Sequence, residues 1–347
     1  MILGIESSCD ESAVAVFDPQ KGVIAEWIYS QVSDHSEYGG VVPDLAVRQH
    51  LTQFFPLLDS LKEAPISIHA ISKIAVTKGP GLVGCLGVGL CIAKTLGELW
   101  GVPVSGVNHL RGHAYSPFMH LAPNPNLDDL LPHLGLLVSG GNTLLFEIEK
   151  NHKINILGQT MDDAVGEALD KGAKLLGIPY PGGASLEKFA RSGDAHAFSF
   201  PRAFNGRGEK DFSFSGLKTS LLYQLQKMNQ EEIDLRYNDL CASYQEAAVD
   251  QLDKKCDPFI KNSKYKSFGL SGGVANNDVL RKRLKISCEK KSLKFLAAEK
   301  KYSGDNAAMI AFADFCYPNA SWVNAAEELS FNPNLKIDDL PPISFAN

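Results

Sequence analysis

The sequence predicts an α/β protein made of a duplicated βββαβαβα unit, and three observations carry the prediction. The order of strand-like and helix-like segments up to a short helix beginning near His109 returns from about residue 133 onward. Each copy opens on three short strand-like runs joined by turn-rich links, which reads as a β-meander. The length of 347 residues exceeds one ordinary core of about 100 to 200 residues and suits two lobes.

In the first copy the strands are expected at residues 2–6, 13–17 and 23–29, divided by turn-rich residues 7–12 and 18–22. A helical repeat follows over 44–61, with Leu45, Leu51, Phe54, Leu58 and Leu61 on one side. Then come a strand at 73–77, a helix at 82–100, a strand at 104–107 and a short helix beginning near His109. The second copy has strands at 134–138, 144–148 and 154–157 and a helix at 165–176. After an excursion over about 178–240 it continues with a helix at 240–260, a strand at 267–270, a helix at 277–286, a strand at 294–297 and a helix at 305–315.

Two βββαβαβα lobes facing each other form the actin, Hsp70 and sugar-kinase fold, with the nucleotide, and here a metal, in the cleft against the first hairpin turn of each lobe. The expected domains are an N-terminal lobe 1–120, a C-terminal lobe 121–325 with a helical insertion at about 178–240, and a tail 326–347 holding Pro333, Pro341 and Pro342.

Composition narrows the function. An apolar fraction of 44% and a charged fraction of 21% describe an ordinary globular protein. A net charge of -6 argues against a nucleic-acid coat, so any RNA contact has to be local. Seven cysteines without a Cys-x-x-Cys pair point to reduced thiols rather than a disulfide framework or a zinc knuckle. The N-terminus lacks a basic segment and meets Glu6 at once, unlike a signal peptide. The uncharged, Gly-rich stretch 79–93 is shorter than the about 18 residues a membrane span needs. The expectation is a soluble, cytoplasmic protein with no membrane partner.

The hairpin turns are the first candidates for chemistry. Ser7-Ser8-Cys9-Asp10-Glu11-Ser12 sets small hydroxyl donors beside two acids that could hold a metal or polarise a reacting group. In Ser139-Gly140-Gly141-Asn142-Thr143 the missing Cβ atoms let backbone N–H groups approach an anion. A plain polar hairpin accounts for either turn alone, but two at matching places in a duplicate favour function. A third turn, from Ser271 to Asn277, joins a strand to a helix where amides and helix dipole favour a nucleotide, although Asn276 or Asn277 as helix cap explains it too.

His109-Leu110-Arg111-Gly112-His113 puts two imidazoles four residues apart on one helix face, about 6 Å from each other, where they can share a metal. A third ligand would be an acid from elsewhere, and Asp305 stands at a helix start expected in the opposite lobe. His120 is a rival on helical spacing, but Pro117 interrupts that helix.

Gly79-Pro80-Gly81-Leu82-Val83-Gly84 matches the dinucleotide fingerprint literally, yet the next strand ends in Asn108 and His109 rather than the acid a ribose needs. Helix packing and a tight turn explain these glycines better. A zinc protease of the His-Glu-x-x-His type is disfavoured because Leu110 replaces its general base.

These segments together resemble the tRNA threonylcarbamoyladenosine transferases, the TsaD family once labelled O-sialoglycoprotein endopeptidases. The resemblance spans nearly the whole chain. It rests on Gly4 to Glu11, Tyr38 to Pro43, Gly79 to Gly84, His109 to His113, Leu137 to Gly141, Asp170-Lys171, Tyr180 to Gly183, Phe212 to Lys218, Ser271 to Asn277 and Gly304 to Ala307. It implies that His109, His113 and Asp305 hold one divalent ion, Fe2+ or Zn2+. It also implies that Leu137, Val138, Ser139, Gly140, Gly141, Asp170, Gly183, Glu187 and Asn277 bind threonylcarbamoyl-AMP. The family often has His where Asn142 stands and Asp where Glu187 stands.

The implied reaction moves threonylcarbamoyl from AMP to N6 of the adenosine 3′ of the anticodon, position 37, in tRNAs reading codons that begin with A. An adenine amine is a poor nucleophile, so catalysis should lie in positioning it and polarising the acyl carbonyl. Asp10 or Glu11 is the candidate acceptor of the amine proton. Basic residues from Arg281 through Arg283, Lys285, Lys290, Lys291 and Lys294 to Lys301 form the one strongly basic stretch for tRNA, though a solvated helix face explains it as well. The implied partners are a TsaB-like paralogue, a TsaE-like ATPase and a TsaC-type synthase that supplies the adenylate. The rivals are a carbamoyltransferase of the same superfamily acting on a small molecule, an ATP-dependent sugar or acetate kinase, and a non-catalytic assembly subunit.

Overall fold

A computed structural model of the chain describes residues 1–64, 66–122, 126–203, 206, 208–318, 322–323 and 329–340. Pro341 and Pro342 lie outside the described residues. The chain divides into two compact units, 1–126 with 304–347, and 127–303.

The first unit begins with β1 (Ile2–Glu6), β2 (Glu11–Asp18) and β3 (Gly22–Ser30), an antiparallel meander whose first two strands are almost wholly buried. A short α1 (Val32–Ser36) leads to α2 (Pro43–Glu63), which has Pro43 at its first position, where no backbone donor is missed. Next come β4 (Lys73–Gly79), α3 (Val83–Trp100), β5 (Val104–Asn108) and α4 (His109–Tyr115). The sheet runs β3-β2-β1-β4-β5, with β4 and β5 parallel to β1. α3 ends at Gly101 in the left-handed region. It is the one described helix with the length and hydropathy of a membrane span. Its glycines instead seat it as a core helix, because added Cβ atoms would strike Val47 at Gly84, Ser7 at Gly89 and Val104 at Gly97.

The second unit repeats the pattern. β6 (His133–Val138), β7 (Thr143–Ile148) and β8 (Ile154–Gln159) form its meander, followed by α5 (Val165–Leu175). The excursion is helical: α6 (Gly182–Ala190), α7 (Ser215–Gln226) and α8 (Gln230–Leu235). Then follow α9 (Tyr237–Ile260), β9 (Ser267–Ser271), α10 (Asp278–Glu289) and β10 (Lys294–Ala297). The strand order β8-β7-β6-β9-β10 reproduces that of the first unit. Both units thus have the actin, Hsp70 and sugar-kinase topology that the duplicated pattern predicts. Asp162 ties the insertion to the meander by accepting hydrogen bonds from the amides of Phe214 and Ser215 and the hydroxyls of Ser213 and Ser215.

The chain returns to the first unit through α11 (Ala307–Cys316) and a short β11 (Trp322–Val323), which pairs with β5. Sequence order assigns 305–315 to the second lobe. The structure places it against β1 and β2, with Phe312 edge-on to Phe17, Asp314 paired to Lys73 and bonded to Ser105. The expected boundaries at 120 and 325 therefore differ from those of the two units, because an apolar helix joins whichever sheet offers it a face.

His133, buried at the start of β6, makes a testable contribution to stability. The Ser267 hydroxyl donates to the Leu130 carbonyl at 2.7 Å, so it accepts from His133 Nδ1 at 2.7 Å. Burial pushes the imidazole down to about 3. Its folded pKa lies below its unfolded one, so the stability it contributes is complete above about pH 6.5 and is lost as the pH falls toward 3. The wild type should lose up to about 1.4 kcal/mol per pH unit more than a His133→Leu variant between pH 6 and 4. Urea melts at three pH values would test this, and parallel slopes would refute a neutral buried imidazole.

Candidate functional site

β5 ends in Asn108, whose side-chain oxygen accepts from the amides of Leu110 and Arg111 at 2.9 and 3.3 Å and starts α4. All seven residues of α4 are buried. Gly112 lets α11 lie close, since a Cβ there would sit 3.0 Å from Ile310 Cδ1 and 3.1 Å from Met309 Cγ. Asn306 caps α11 through Met309 N at 2.8 Å, and this fixes Asp305 just ahead of it. The predicted trio thus meets within one unit, not from opposite lobes. Asp305 Oδ1 lies 2.9 Å from His113 Nε2 and 3.6 Å from His109 Nε2. The two rings stand edge to face, 4.8 Å apart. One donor atom from each residue falls within 4.8 Å of the others. His120 lies beyond the end of α4, in a 3-10 turn that begins just before Pro117.

The shell behind these ligands includes a residue that the sequence reading missed. Glu6 Oε2 lies 3.0 Å from His109 Nδ1 and accepts from Thr77 Oγ1 at 2.5 Å, while Glu6 Oε1 accepts from Ser8 N at 2.5 Å. Ser8 Oγ also reaches His109 Nδ1, at 3.3 Å. Burial raises the Glu6 carboxyl, but the charge and hydrogen bond of His109 outweigh it and hold it below the usual range. Burial likewise opposes charging of His109, yet the carboxylates of Glu6 and Asp305 lift it to about 9. Against burial, His109 and His113 keep Asp305 well below an ordinary carboxyl. Two imidazole Nε2 atoms and one carboxylate, with a second carboxylate orienting one imidazole from behind, suit a divalent metal and leave coordination positions open. The available signal for Glu6 was a charged residue ending an otherwise apolar strand, Ile-Leu-Gly-Ile-Glu.

The first hairpin turn is held from outside. His50 Nε2 donates to the Cys9 carbonyl at 2.9 Å, which leaves Nδ1 to accept from Ser12 Oγ at 2.6 Å. Gln31 N donates to the Asp10 carbonyl at 2.9 Å. The Glu11 carboxyl, hydrogen-bonded to Asp10 and to Ser30 Oγ, is pushed well above normal by burial and then by the charges of Asp305 and Asp10. Burial, then Asp10 and Asp305, also push the Cys9 thiol up, which argues against a thiolate nucleophile. In Gly79 to Gly84, a Cβ at Gly81 would lie 2.5 Å from the Ser8 carbonyl oxygen, and at Gly84 it would strike Val47. These glycines serve packing, as their context suggests.

In the second unit the residues implied for substrate form a closed circuit of contacts at the C-terminal ends of β6 and β9. Gly166 N of α5 donates to the Ser139 carbonyl at 3.2 Å. Asp170, raised by burial, accepts from Gly183 N at 2.8 Å. Glu187 accepts from Asp278 N at 2.8 Å, and Asn277 caps α10 through Leu280 N while donating to Gln245. Gly272, at φ +89°, lies so close to the Val138 carbonyl that no Cβ fits. Gly140 and Gly141 are exposed with open space around them, so their amides can be approached. Leu137 and Val138 are fully buried, backbone included, and lead the chain into the exposed turn rather than lining it. The basic stretch, by contrast, is not one free face. Arg281 bonds the carbonyls of Ala275 and Ala298, Arg283 forks onto Glu246, and Lys300 pairs with Asp278.

The model of the TsaD family, tRNA N6-adenosine threonylcarbamoyltransferase, matches residues 22–312. The chain belongs to this family. The tRNA N6-adenosine threonylcarbamoyltransferase of Polaromonas naphthalenivorans (strain CJ2) is 42% identical over 329 residues, 93% of this chain and 91% of its own. That of Herminiimonas arsenicoxydans is 40% identical over 346 residues, 99% of this chain and 100% of its own. Among solved structures, T. kodakarensis HypF aligns with a TM-score of 0.58 at 15% identity over 91% of this chain and 47% of HypF, which supports the fold. Membership in the threonylcarbamoyltransferase family makes the chain a transferase. It favours neither the kinase nor the small-molecule carbamoyltransferase nor the non-catalytic subunit.

Proposed function

We propose that this chain transfers threonylcarbamoyl from threonylcarbamoyl-AMP to N6 of adenosine 37 in tRNAs reading codons that begin with A. The observation that carries the reading is a His109–His113–Asp305 donor set, with both histidines buried and Asp305 partly exposed, in a chain that matches this family along most of its length. A bound Fe2+ or Zn2+ would supply a Lewis acid and template for the acyl group. In the reaction the adenine amine attacks the carbamoyl carbonyl, the bond to the AMP phosphate oxygen breaks, and AMP departs with its electron pair. Asp10, with Glu11 beside it as the alternative, stands as acceptor of the amine proton. The amides of Gly140 and Gly141 would cradle the AMP phosphate beside Ser139, whose own amide is held by the Asn142 carbonyl, with Asp170, Gly183, Glu187 and Asn277 shaping the adjoining wall. The other partners we infer are a TsaB-like paralogue, a TsaE-like ATPase and a TsaC-type synthase, and the compartment is the cytoplasm.

The test supplies threonylcarbamoyl-AMP and unmodified tRNA, with the partner proteins, in the presence and absence of chelator. Chelator-sensitive modification with matching AMP release is expected; none in any condition would sink the proposal. The Asp10→Ala protein should keep its metal and bind the adenylate but turn over about a hundredfold more slowly. Unchanged turnover would remove Asp10 from the mechanism.

A further inference from the structure

The tail reads in sequence as an addition to the frame. In the structure residues 329–339 are built into the first unit. Leu329, Leu335 and Ile337 are buried, the first two within the same core as Leu3, Ile5 and Val76. Three hydrogen bonds, two of them between backbones, bind the segment to the end of β4 and the turn after it: Asn332 N donates to the Lys78 carbonyl at 2.8 Å, Gly81 N donates to the Pro333 carbonyl at 3.2 Å, and Lys78 Nζ donates to the Ser330 carbonyl. Gly79, at φ +150°, has the Asn332 carbonyl where a Cβ would stand.

From this segment two routes run to His109. The direct one passes through Asn108, which is fully buried. Its Nδ2 donates to the Lys336 carbonyl at 2.6 Å while its Oδ1 caps α4. That orientation is dictated by the partners, because a flipped amide would set donor against donor at the cap and acceptor against acceptor at Lys336. His109 is the next residue. The second route passes from Gly81 to the neighbouring Leu82, whose amide donates to the Ser8 carbonyl at 2.8 Å, and Ser8 Oγ contacts His109 Nδ1.

We propose that residues 329–339 are a structural part of the metal centre, and that Asn108 is the positioning residue through which they set where His109 stands. The inference rests on reading His109, His113 and Asp305 as metal ligands. A buried ligand displaced by a fraction of an ångström loses part of its bond, and removal of such outer partners typically costs about 10- to 100-fold in metal affinity. The same contacts explain why a carboxamide suits position 108: one group must accept from a helix start and donate to a carbonyl on opposite sides.

Two variants separate positioning from folding. Asn108→Ser keeps an oxygen for the cap but cannot reach Lys336, and Asn332→Pro removes the amide that donates to Lys78 without touching α4. Zn2+ affinity by chelator competition, the visible spectrum of the Co2+ form and the melting temperature of the metal-free protein are the readouts. Asn108→Ser should bind Zn2+ about tenfold more weakly with altered Co2+ bands and a nearly unchanged melting temperature, and Asn332→Pro should shift affinity in the same direction. Unchanged affinity in both variants would overturn the proposal, as would a loss that merely follows a fall in metal-free stability. A wild type that binds no Zn2+, or a His113→Ala protein that binds it as tightly, would instead overturn the metal reading beneath it.

Discussion

The His113→Ala protein should lose its divalent metal and at least about a hundredfold of its tRNA-modifying activity while remaining folded. His113 is 1% exposed and meets Asp305 at 2.9 Å, so its removal leaves His109 and Asp305 as a two-ligand remnant. The fold should survive, since α4 keeps its cap at Asn108 and its contacts with α11 through Gly112. Metal content, circular dichroism and the tRNA assay together decide the matter. Full activity with stoichiometric metal would show that the centre lies elsewhere.

The second large effect is expected at Gly4, far along the chain from the ligands. In β1 a Cβ at this position would collide with the Ala307 carbonyl and lie 3.2 Å from Ala311 Cβ. α11 therefore rests on bare backbone, and Asp305 precedes that helix by two residues. Gly4→Val should force the helix away and cost about 3 kcal/mol, or roughly 4 °C in melting temperature. Metal affinity should fall with it because Asp305 moves with its helix. Intact metal binding in a destabilised protein would show that Asp305 is held independently of this contact.

Much of the architecture was readable because it rests on local patterns. The meanders, the helical excursion and the alternation of apolar strands and helices all appear near their expected places, with ends shifted by a few residues. Asn277 shows the opposite case. Its dual character as cap and ligand candidate is visible in sequence, and only the structure reveals that its carboxamide already serves α10 and Gln245. Arg281 and Arg283 look like surface charge in sequence, yet their fork geometry is spent on carbonyls and on Glu246.

What the sequence by itself determined is the duplicated topology, the two glycine-rich turns and the helical spacing of His109 and His113, since each depends on neighbours within a few residues. Tertiary structure alone decided that Asp305, already the third-ligand candidate in sequence, reaches those histidines from within the same unit, that Glu6 orients one of them, and that the tail reaches Asn108. These are meetings of segments separated by 103 to 241 residues or more in the chain, such as Glu6 with His109 and Lys73 with Asp314. No periodicity encodes them. They are settled by which sheet face an apolar helix can cover and by where a glycine lets backbone approach backbone.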